Sequence, residues 1–274
     1  MEEQMYTYKY PHPAVTTDCV VFGMDGAKLK TLLIERGNEP YKGCWAFPGG
    51  FLDMDENASQ GALRELEEET GLKLEHVKEF GTFSEVNRDP RERVISIAFY
   101  ALTEIMNVKG CDDAAKAQWF ALDEVPPLAF DHDLMLKKAL QQLKEDLMKR
   151  ITPDYIHSLN KNEIFVFGSN LAGAHGGGAA RIAYKEFGAI MGQGVGLQGQ
   201  SYGIPTMQGG VDTIKPYVDE FIAFAKQHPE MTFLVTKIGC GIAGFRIDEI
   251  APLFAGAVEV ENIYLPQEFW DELV

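Results

Sequence analysis

One segment combines a predicted helix with an unusual density of acidic residues. Residues 50–72 read GFLDMDENASQGALRELEEETGL. The part from Ala58 to Thr70 has no proline and carries apolar residues at helical spacing, and Gly71 follows as a typical C-terminal cap. The segment therefore predicts a helix that ends at Thr70 or Gly71.

Three glutamates on this helix have the spacing of a metal site. Glu65 lies one helical turn from Glu68 and from Glu69, so the three carboxylates share one surface. Carboxylates this close repel each other unless cations neutralise them, and hard oxygen ligands favour Mg²⁺ or Mn²⁺. Such ions leave coordination positions for the phosphates of a substrate. The expected reaction is attack of water on a pyrophosphate linkage.

A plainer interpretation of the same helix is a solvated acidic face, with Arg64 and Lys73 as ion-pair partners. The preceding segment, residues 45–50 (WAFPGG), and the complete spacing of the acidic residues favour the catalytic interpretation. Arg64 is then expected to orient a catalytic carboxylate, and Glu67 to be merely solvated.

The segment resembles the Nudix box, G-x5-E-x7-R-E-U-x-E-E-x-G-U with U aliphatic, at every defined position from Gly50 to Leu72. The resemblance implies an α/β/α sandwich with a mixed sheet. It also implies a metal site and a set of catalytic residues. The metal ligands would be Glu65, Glu68, Glu69 and Gly49, and the catalytic residues Glu65, Glu68, Glu69 and Arg64.

Segments outside the box are similar to ADP-ribose pyrophosphatases and to related regulators of NAD metabolism. They are residues 10–15 (YPHPAV), 88–94 (RDPRERV) and 128–132 (LAFDH). This resemblance implies hydrolysis of ADP-ribose to AMP and ribose 5-phosphate. The regulators carry a DNA-binding winged helix after the Nudix domain, whereas the second half of this chain is glycine-rich and acidic, which favours an enzyme.

Composition narrows the classes of partner. The 274 residues suffice for two cores, and 41 acidic against 25 basic residues give a net charge of −16. That charge argues against nucleic acid as a partner. No signal peptide or membrane-spanning run is visible, and the four cysteines form no CxxC pair, so a soluble cytoplasmic protein with reduced thiols is expected. The cysteines are Cys19, Cys44, Cys111 and Cys240.

The chain is expected to divide near residue 150. Strand-like segments are followed by an amphipathic helix predicted over residues 133–150, and the pattern starts afresh at Ile151-Thr152-Pro153. We therefore expect a Nudix domain over residues 1–150 and a second domain over residues 151–274.

The second half contains two glycine loops that each follow a predicted buried strand. Residues 163–168 (EIFVFG) lead into a loop with three consecutive glycines and a helix through Phe187. Residues 233–238 (FLVTKI) lead into a second loop and a helix predicted over residues 246–257. Loops of this kind hold phosphate with backbone N–H groups, and adjacent parallel strands would place both at one crevice.

These segments are similar to macro or macro-like domains, which implies a three-layer α/β/α fold and ADP-ribose as ligand. The binding residues implied by the resemblance are Asn170, Gly176, Gly177, Gly178, Gly239, Gly241, Gly244 and Phe245. His175 is either a catalytic or ligand-contacting group or, as the favoured expectation, a loop histidine that points to water.

The leading hypothesis is a Mg²⁺- or Mn²⁺-dependent pyrophosphatase for ADP-ribose or a related nucleoside diphosphate derivative. Its second domain would bind ADP-ribose or release it from a modified molecule. Two alternatives stay open: a Nudix hydrolase of a different nucleotide, and a sensor of NAD metabolites without turnover. A homodimer is a further open expectation.

Overall fold

The computed structural model describes residues 7–26, 28–110 and 114–274. The expectation of a reduced thiol at Cys111 therefore lies outside the described residues. Contacts divide the chain into two compact units, Met1–Gly23 with Lys30–Gln142 and Met24–Leu29 with Leu143–Val274.

The first unit is built on a mixed seven-stranded sheet. Its strands run in the spatial order β3-β2-β1-β6-β5, with β4 paired to β1 and β7 paired to β2. The strands are β1 (Ala14–Asp25), β2 (Lys28–Arg36), β3 (Trp45–Ala46), β4 (Gly49–Phe51), β5 (Lys78–Phe83), β6 (Val94–Glu104) and β7 (Ala114–Ala121). The short strand β4 pairs antiparallel with β1, so that Gly49 faces Asp18 and Gly50 faces Thr17.

Two helices accompany this sheet. Helix α1 (Ala58–Thr70) begins with a capping box, in which the Asn57 side chain accepts from Gln60 N and Asn57 N donates to the Gln60 side chain. It ends at Gly71, whose φ of 71° is the left-handed conformation that glycine adopts readily. Helix α2 (His132–Leu147) continues as a 3₁₀ turn at Met148–Arg150 rather than as α-helix to residue 150.

A small apolar cluster fastens α1 to the sheet. Leu66 packs with Cys19 and Val21 of β1 and with Leu32 of β2, and all four are fully buried. Burying one face of α1 in this way leaves its glutamates near the boundary between core and solvent. The core therefore decides where the acidic side chains point.

The second unit contains a five-stranded sheet in the order β12-β11-β8-β10-β9. Its strands are β8 (Glu163–Ser169), β9 (Gly196–Gln198), β10 (Ser201–Pro205), β11 (Thr232–Val235) and β12 (Ile263–Tyr264). Strands β12, β11, β8 and β10 are parallel, and β9 is antiparallel to β10. The carboxyl ends of the parallel strands therefore share one edge, as the sequence predicted for β8 and β11.

Helices cover both faces of this second sheet. Phe165 and Phe167 of β8 pack with Ala180 and Ala183 of α3 (Gly178–Glu186). Phe233 of β11 is in register with Ile164, whose side chain points away from that of Phe165, and Phe233 packs with Phe221 of α4 (Lys215–Gln227). The second unit therefore has three layers, helix, sheet and helix.

Two predicted elements at the end of the chain are shorter in the structure. Strand β11 ends at Val235 rather than at residue 238. The helix predicted over residues 246–257 is one turn of α-helix, α5 (Ile247–Ile250), followed by a 3₁₀ helix at Ala251–Ala257. Pro252 lies at the start of that segment, where it removes a backbone donor from the α-helical pattern. Helix α6 (Gln267–Leu273) closes the chain.

Among these described helices, none has both the length and the apolar character that crossing a membrane requires.

Candidate functional site

A glycine pair lets strand β4 approach both β1 and α1 closely. A Cβ atom with ideal geometry on Gly49 would lie 2.2 Å from the carbonyl oxygen of Thr17. One on Gly50 would lie 2.2 Å from Glu65 Oε1. Both distances are far below van der Waals contact, so only glycine permits this approach. The pair thereby brings the backbone of β4 against the acidic face of α1.

Arg64 organises the carboxylates of α1 and of the segment before it. Its Nη1 donates to Glu65 Oε1 at 2.8 Å and to Glu68 Oε2 at 3.0 Å. Its Nη2 and Nε donate to the Glu56 carboxylate at 2.7 and 3.1 Å. The bonds to Glu56 and then to the other two raise the pKa of Arg64, and the bond from Arg64 lowers the pKa of Glu56. Arg64 is thus placed to orient Glu65 and Glu68.

Glu69 lies apart from this network, on the buried side of α1. It is 6% exposed, and its Oε2 accepts a hydrogen bond from Gly49 N at 2.9 Å. Burial, followed by the negative charges of Glu65 and Asp18, raises the pKa of the Glu69 carboxyl to about 8. Burial also raises the pKa of Glu65. A bound cation would favour the charged form of both carboxylates.

The chemistry of the donors fits a hard divalent cation. Glu65, Glu68 and Glu69 offer only carboxylate oxygens, and all three line one cleft of about 390 Å³ together with Gly49 and Arg64. Within the described part of the chain, no three His, Cys, Asp or Glu side chains converge into a preformed metal cage. Mg²⁺ binds carboxylate oxygens of this kind and keeps water and phosphate oxygens as its other ligands.

Glu67 and Glu85, by contrast, do not line this cleft. Glu67 is exposed and forms an ion pair with Lys73 at 2.9 Å, as expected of a solvated residue. Glu85, in the segment after β5, is exposed and is not among the residues that line the cleft.

Asp18, Ser96 and His132 form a buried polar network, which the sequence did not predict. Asp18 accepts a short hydrogen bond from Ser96 Oγ through Oδ2, and its Oδ1 lies 3.5 Å from His132 Nε2. His132 Nδ1 accepts from Phe47 N at 3.0 Å, which places the proton of the neutral imidazole on Nε2, towards Asp18. Burial lowers the pKa of His132 and so favours that neutral form.

The same cleft is also lined by arginines and aromatic rings, which were not predicted as site residues. Arg91 lies over the rings of Phe51 and Phe130, at 5.1 and 5.9 Å from their centroids. Arg36 lies 4.9 Å from the centroid of the Phe130 ring. The cleft therefore combines the carboxylates of α1 with arginines and aromatic rings, a set of groups suited to a ligand with phosphate groups and a ring system.

The two glycine loops of the second unit line a common cleft of about 430 Å³. It lies where β8, β10 and β11 end. Six of the residues proposed to bind there are in its lining: Asn170, Gly176, Gly177, Gly178, Gly239 and Gly241. Gly244 and Phe245 are not; Phe245 N donates instead to Gly239 O at 3.0 Å and closes the second loop.

Asn170 and His175 are tied into the first loop. Asn170 Nδ2 donates to Ala174 O at 2.9 Å, and its Oδ1 accepts from Ala174 N at 3.0 Å, so its amide holds the loop closed. The expectation that His175 points to water is wrong: it is 1% exposed. Its Nε2 lies 3.1 Å from both Ile190 O and Gln193 O. The chain returns over the loop there, a packing that the local sequence did not reveal.

Comparison with known proteins agrees with the site in the first unit. The NUDIX domain family matches residues 12–142. An ADP-ribose pyrophosphatase of Methanocaldococcus jannaschii is 43% identical over 128 residues, which are 47% of this chain and 73% of that protein. The ADPR responsive transcriptional repressor NtrR of Acinetobacter baylyi is 34% identical over 142 residues, 49% of this chain and 56% of that protein.

Among solved structures, the NUDIX domain of Shewanella oneidensis NrtR, crystallised with ADP ribose, is 31% identical. It covers 50% of this chain and 94% of that one, with a TM-score of 0.48.

The chain belongs to the Nudix family, because its relative from M. jannaschii is matched over most of its length and the family match spans the first unit. Its class is that of a Nudix pyrophosphatase, a hydrolase of phosphorus anhydride bonds.

Proposed function

We propose that the first unit hydrolyses the pyrophosphate linkage of ADP-ribose, or of a closely related nucleoside diphosphate derivative. Water would attack one phosphorus, and the bond from that phosphorus to the bridging oxygen would break, giving AMP and ribose 5-phosphate. The observation that carries the proposal is the cleft itself. Its lining combines the metal-binding chemistry of Glu65, Glu68 and Glu69 with arginines suited to phosphate. The 43% identity to a protein named ADP-ribose pyrophosphatase supports this choice of substrate.

The side chains have separable roles in this proposal. Glu65, Glu68, Glu69 and the Gly49 segment would hold Mg²⁺ or Mn²⁺, in keeping with the general use of divalent metals by Nudix hydrolases. When bound, the ion would lower the pKa of a water and neutralise phosphate charge. Arg64 keeps Glu65 and Glu68 in place through its Nη1 group.

The Asp18–His132 pair supports the buried side of the site. His132 Nδ1 is occupied by Phe47 N, so this nitrogen is not available to take a proton from water. We therefore assign His132 to positioning, through Phe47 and Asp18, rather than to proton transfer.

Product analysis tests the proposal. The full chain would be incubated with ADP-ribose and Mg²⁺, beside Glu68→Gln, the matched control Glu67→Gln and a chelated sample. We expect AMP from the wild type and from Glu67→Gln, and at least a 100-fold loss in Glu68→Gln and with chelator. Glu67 is a fitting control because it pairs with Lys73, just beyond the end of α1, and neither residue lines the cleft.

The rival functions give different results in the same experiment. Turnover of another nucleotide in place of ADP-ribose would show that the enzyme class is right and the substrate wrong. Tight binding of ADP-ribose without any product would instead favour a sensor. Such a role would resemble that of the relative named as an ADPR responsive transcriptional repressor.

For the second unit we propose binding of ADP-ribose without catalysis. Of the residues that line its cleft, Lys237 is the one with an ionisable acid or base, and Lys237 is held by Glu268 at 2.5 Å and Asp154 at 3.4 Å. Cleavage of a glycosidic linkage usually relies on paired carboxyl groups, and the described lining has none. Backbone N–H groups of the glycine loops suit a diphosphate.

Calorimetric titration of ADP-ribose into full-length Glu68→Gln protein with chelator tests this second proposal. Gly177→Val would fill the cleft, because a Cβ on Gly177 meets Ile242 Cδ1 at 3.1 Å and the backbone is extended. Gly210→Val is the matched control, since its Cβ meets nothing within 4 Å. We expect binding to weaken at least tenfold in Gly177→Val only. Equal affinity in both variants would refute the assignment.

A further inference from the structure

Lys237 carries the one formal charge among the described residues that line the cleft of the second unit. It lies between the end of β11 at Val235 and the glycine loop that starts at Gly239. The rest of that lining consists of glycines, small residues, apolar residues and neutral polar groups. Backbone N–H groups carry only partial positive charge. A ligand with two phosphates therefore has Lys237 as the one full counter-charge in this lining.

Two carboxylates already occupy this lysine. Its Nζ donates to Glu268 Oε1 at 2.5 Å and lies 3.4 Å from Asp154 Oδ1. The hydrogen bond to Glu268 raises the pKa of Lys237, and the same bond lowers the pKa of Glu268, so both groups are ionised at neutral pH. Neither carboxylate is among the residues that line the cleft. Two negative charges therefore surround the one positive charge that the cleft could offer to an anion.

The sheet places these three residues at the edge where the cleft lies. Strand β11 is parallel to β12, and Ile151 forms a parallel bridge with Leu265, directly after β12. The carboxyl ends of these segments therefore share one edge with the glycine loops, the edge at which open α/β sheets bind ligands. Lys237 follows β11, Glu268 follows β12 in the first turn of α6, and Asp154 follows the bridge at Ile151. The acidic pair thus lies at the same edge as the cleft.

The ion pairs of Lys237 are of a kind that a ligand can replace. The side chains of Lys237, Glu268 and Asp154 are 42%, 46% and 76% exposed. Ion pairs at this exposure are weak because water screens them, and the four-carbon chain of lysine is flexible enough to change partners. A phosphate held by the glycine loops would therefore compete with the carboxylates for the same ammonium group.

We propose that Lys237 binds a phosphate of the ligand in the second cleft, and that Glu268 and Asp154 lower the affinity by competing for this lysine. The proposal rests on the binding function proposed above for the second unit, and it names the residues that set the strength of that binding. Removing either carboxylate should tighten binding, because it releases the lysine. The loss of a merely structural contact would not tighten it.

Calorimetric titration of ADP-ribose into full-length Glu68→Gln protein with chelator tests the proposal, in a background chosen to stop hydrolysis by the first unit. We expect Lys237→Gln to weaken binding about tenfold, the loss typical of a charged hydrogen bond. Glu268→Gln should tighten binding about two- to fivefold, the usual weight of an exposed ion pair. Asp154→Asn should tighten it less, because its contact with Lys237 is longer.

Control variants separate competition for Lys237 from a general change in charge. Lys215→Gln and Asp219→Asn each remove one side of another exposed ion pair of the second unit, which is 2.7 Å long and lies outside the cleft lining. Both should leave the affinity within about twofold of the background protein. The double variant Lys237→Gln/Glu268→Gln should bind no more tightly than Lys237→Gln, because no lysine is left to release. A gain from Glu268→Gln that persists without the lysine would overturn the competition.

The outcomes also separate this inference from the proposed function. If Gly177→Val weakens the binding of ADP-ribose but Lys237→Gln stays within about twofold of Lys215→Gln, the second cleft binds the ligand and the role of Lys237 is refuted. Weaker binding in Glu268→Gln refutes the competition. If the background protein does not bind ADP-ribose, the function proposed for the second unit fails, and titration with inorganic pyrophosphate decides. Tighter binding in Glu268→Gln than in Asp219→Asn supports an anion site at Lys237, and equal or absent binding overturns it.

Discussion

Gly49 and Gly50 are neighbours, but adding a methyl group should have a different effect at each. At Gly50 it should lower activity, and at Gly49 it should lower the stability of the fold. On Gly50, the new Cβ would lie 2.2 to 2.7 Å from the three atoms of the Glu65 carboxyl group. The end of a glutamate can move, so the fold survives, but the carboxylate must shift by about 1 Å. A displacement of that size can lower an enzymatic rate on the order of 100-fold.

On Gly49, the methyl group would instead meet backbone. Its Cβ would lie 2.2 Å from Thr17 O and 2.9 Å from Asp18 Cα, on the paired strand β1. A strand inside a sheet cannot retreat as a side chain can, so Gly49→Ala should lower the free energy of unfolding by about 1–3 kcal/mol, or more.

Urea unfolding and AMP production, measured on both variants and the wild type, check this pair of predictions. Gly50→Ala should unfold within about 1 kcal/mol of the wild type, the usual scale of surface changes and small shifts, while losing most of its activity. Wild-type activity in Gly50→Ala, or a loss of stability as large as that of Gly49→Ala, would refute the reasoning from close contacts.

Two further predictions concern stability. Burial raises the pKa of the Cys19 thiol from 9.0 to about 12. The unfolded thiol therefore ionises first, and the stabilisation is complete below pH 9 and lost as pH rises towards 12. Relative to Cys19→Ala, the wild-type free energy of unfolding should fall by ~1.4 kcal/mol per pH unit above pH 9. If the free energies from urea unfolding of the two proteins change with pH in the same way, this prediction is wrong. Asn57→Ala removes the side-chain acceptor for Gln60 N and should cost about 1 kcal/mol in urea unfolding, whereas Asn57→Asp, an equally good cap, should cost little.

The proposed hydrolysis and the proposed ADP-ribose binding should be separable, because each cleft belongs to its own unit. The cleft of the first unit is lined by many ionisable side chains, whereas the second is lined mainly by glycines, small residues and neutral polar groups. Metal dependence should follow the same division. A chelator is expected to abolish hydrolysis in the first unit and to leave binding by the glycine loops of the second unit intact.

Local sequence determined the part of the candidate site that lies on one element. Helix α1, its Asn57 cap and its Gly71 end follow from interactions between residues at most four apart. The relative positions of Glu65, Glu68 and Glu69 follow from helical periodicity alone. In the second half, each buried strand and the glycine loop that follows it are also neighbours in sequence, so their order could be predicted. The parallel pairing of β8 with β11 agrees with the prediction.

Tertiary structure decided which distant residues join these elements. Asp18, Arg36 and His132 reach the Nudix cleft from two strands and a helix far apart in sequence, and no periodicity relates them to α1. His175 is buried because residues 190–193 fold back over its loop. The residues next to it in the sequence had suggested a solvent-exposed histidine. Whether a carboxylate or a guanidinium has a partner depends on such contacts. The sequence by itself therefore determined the glutamates of the site, and only the fold decided which other charges and rings line the same cleft.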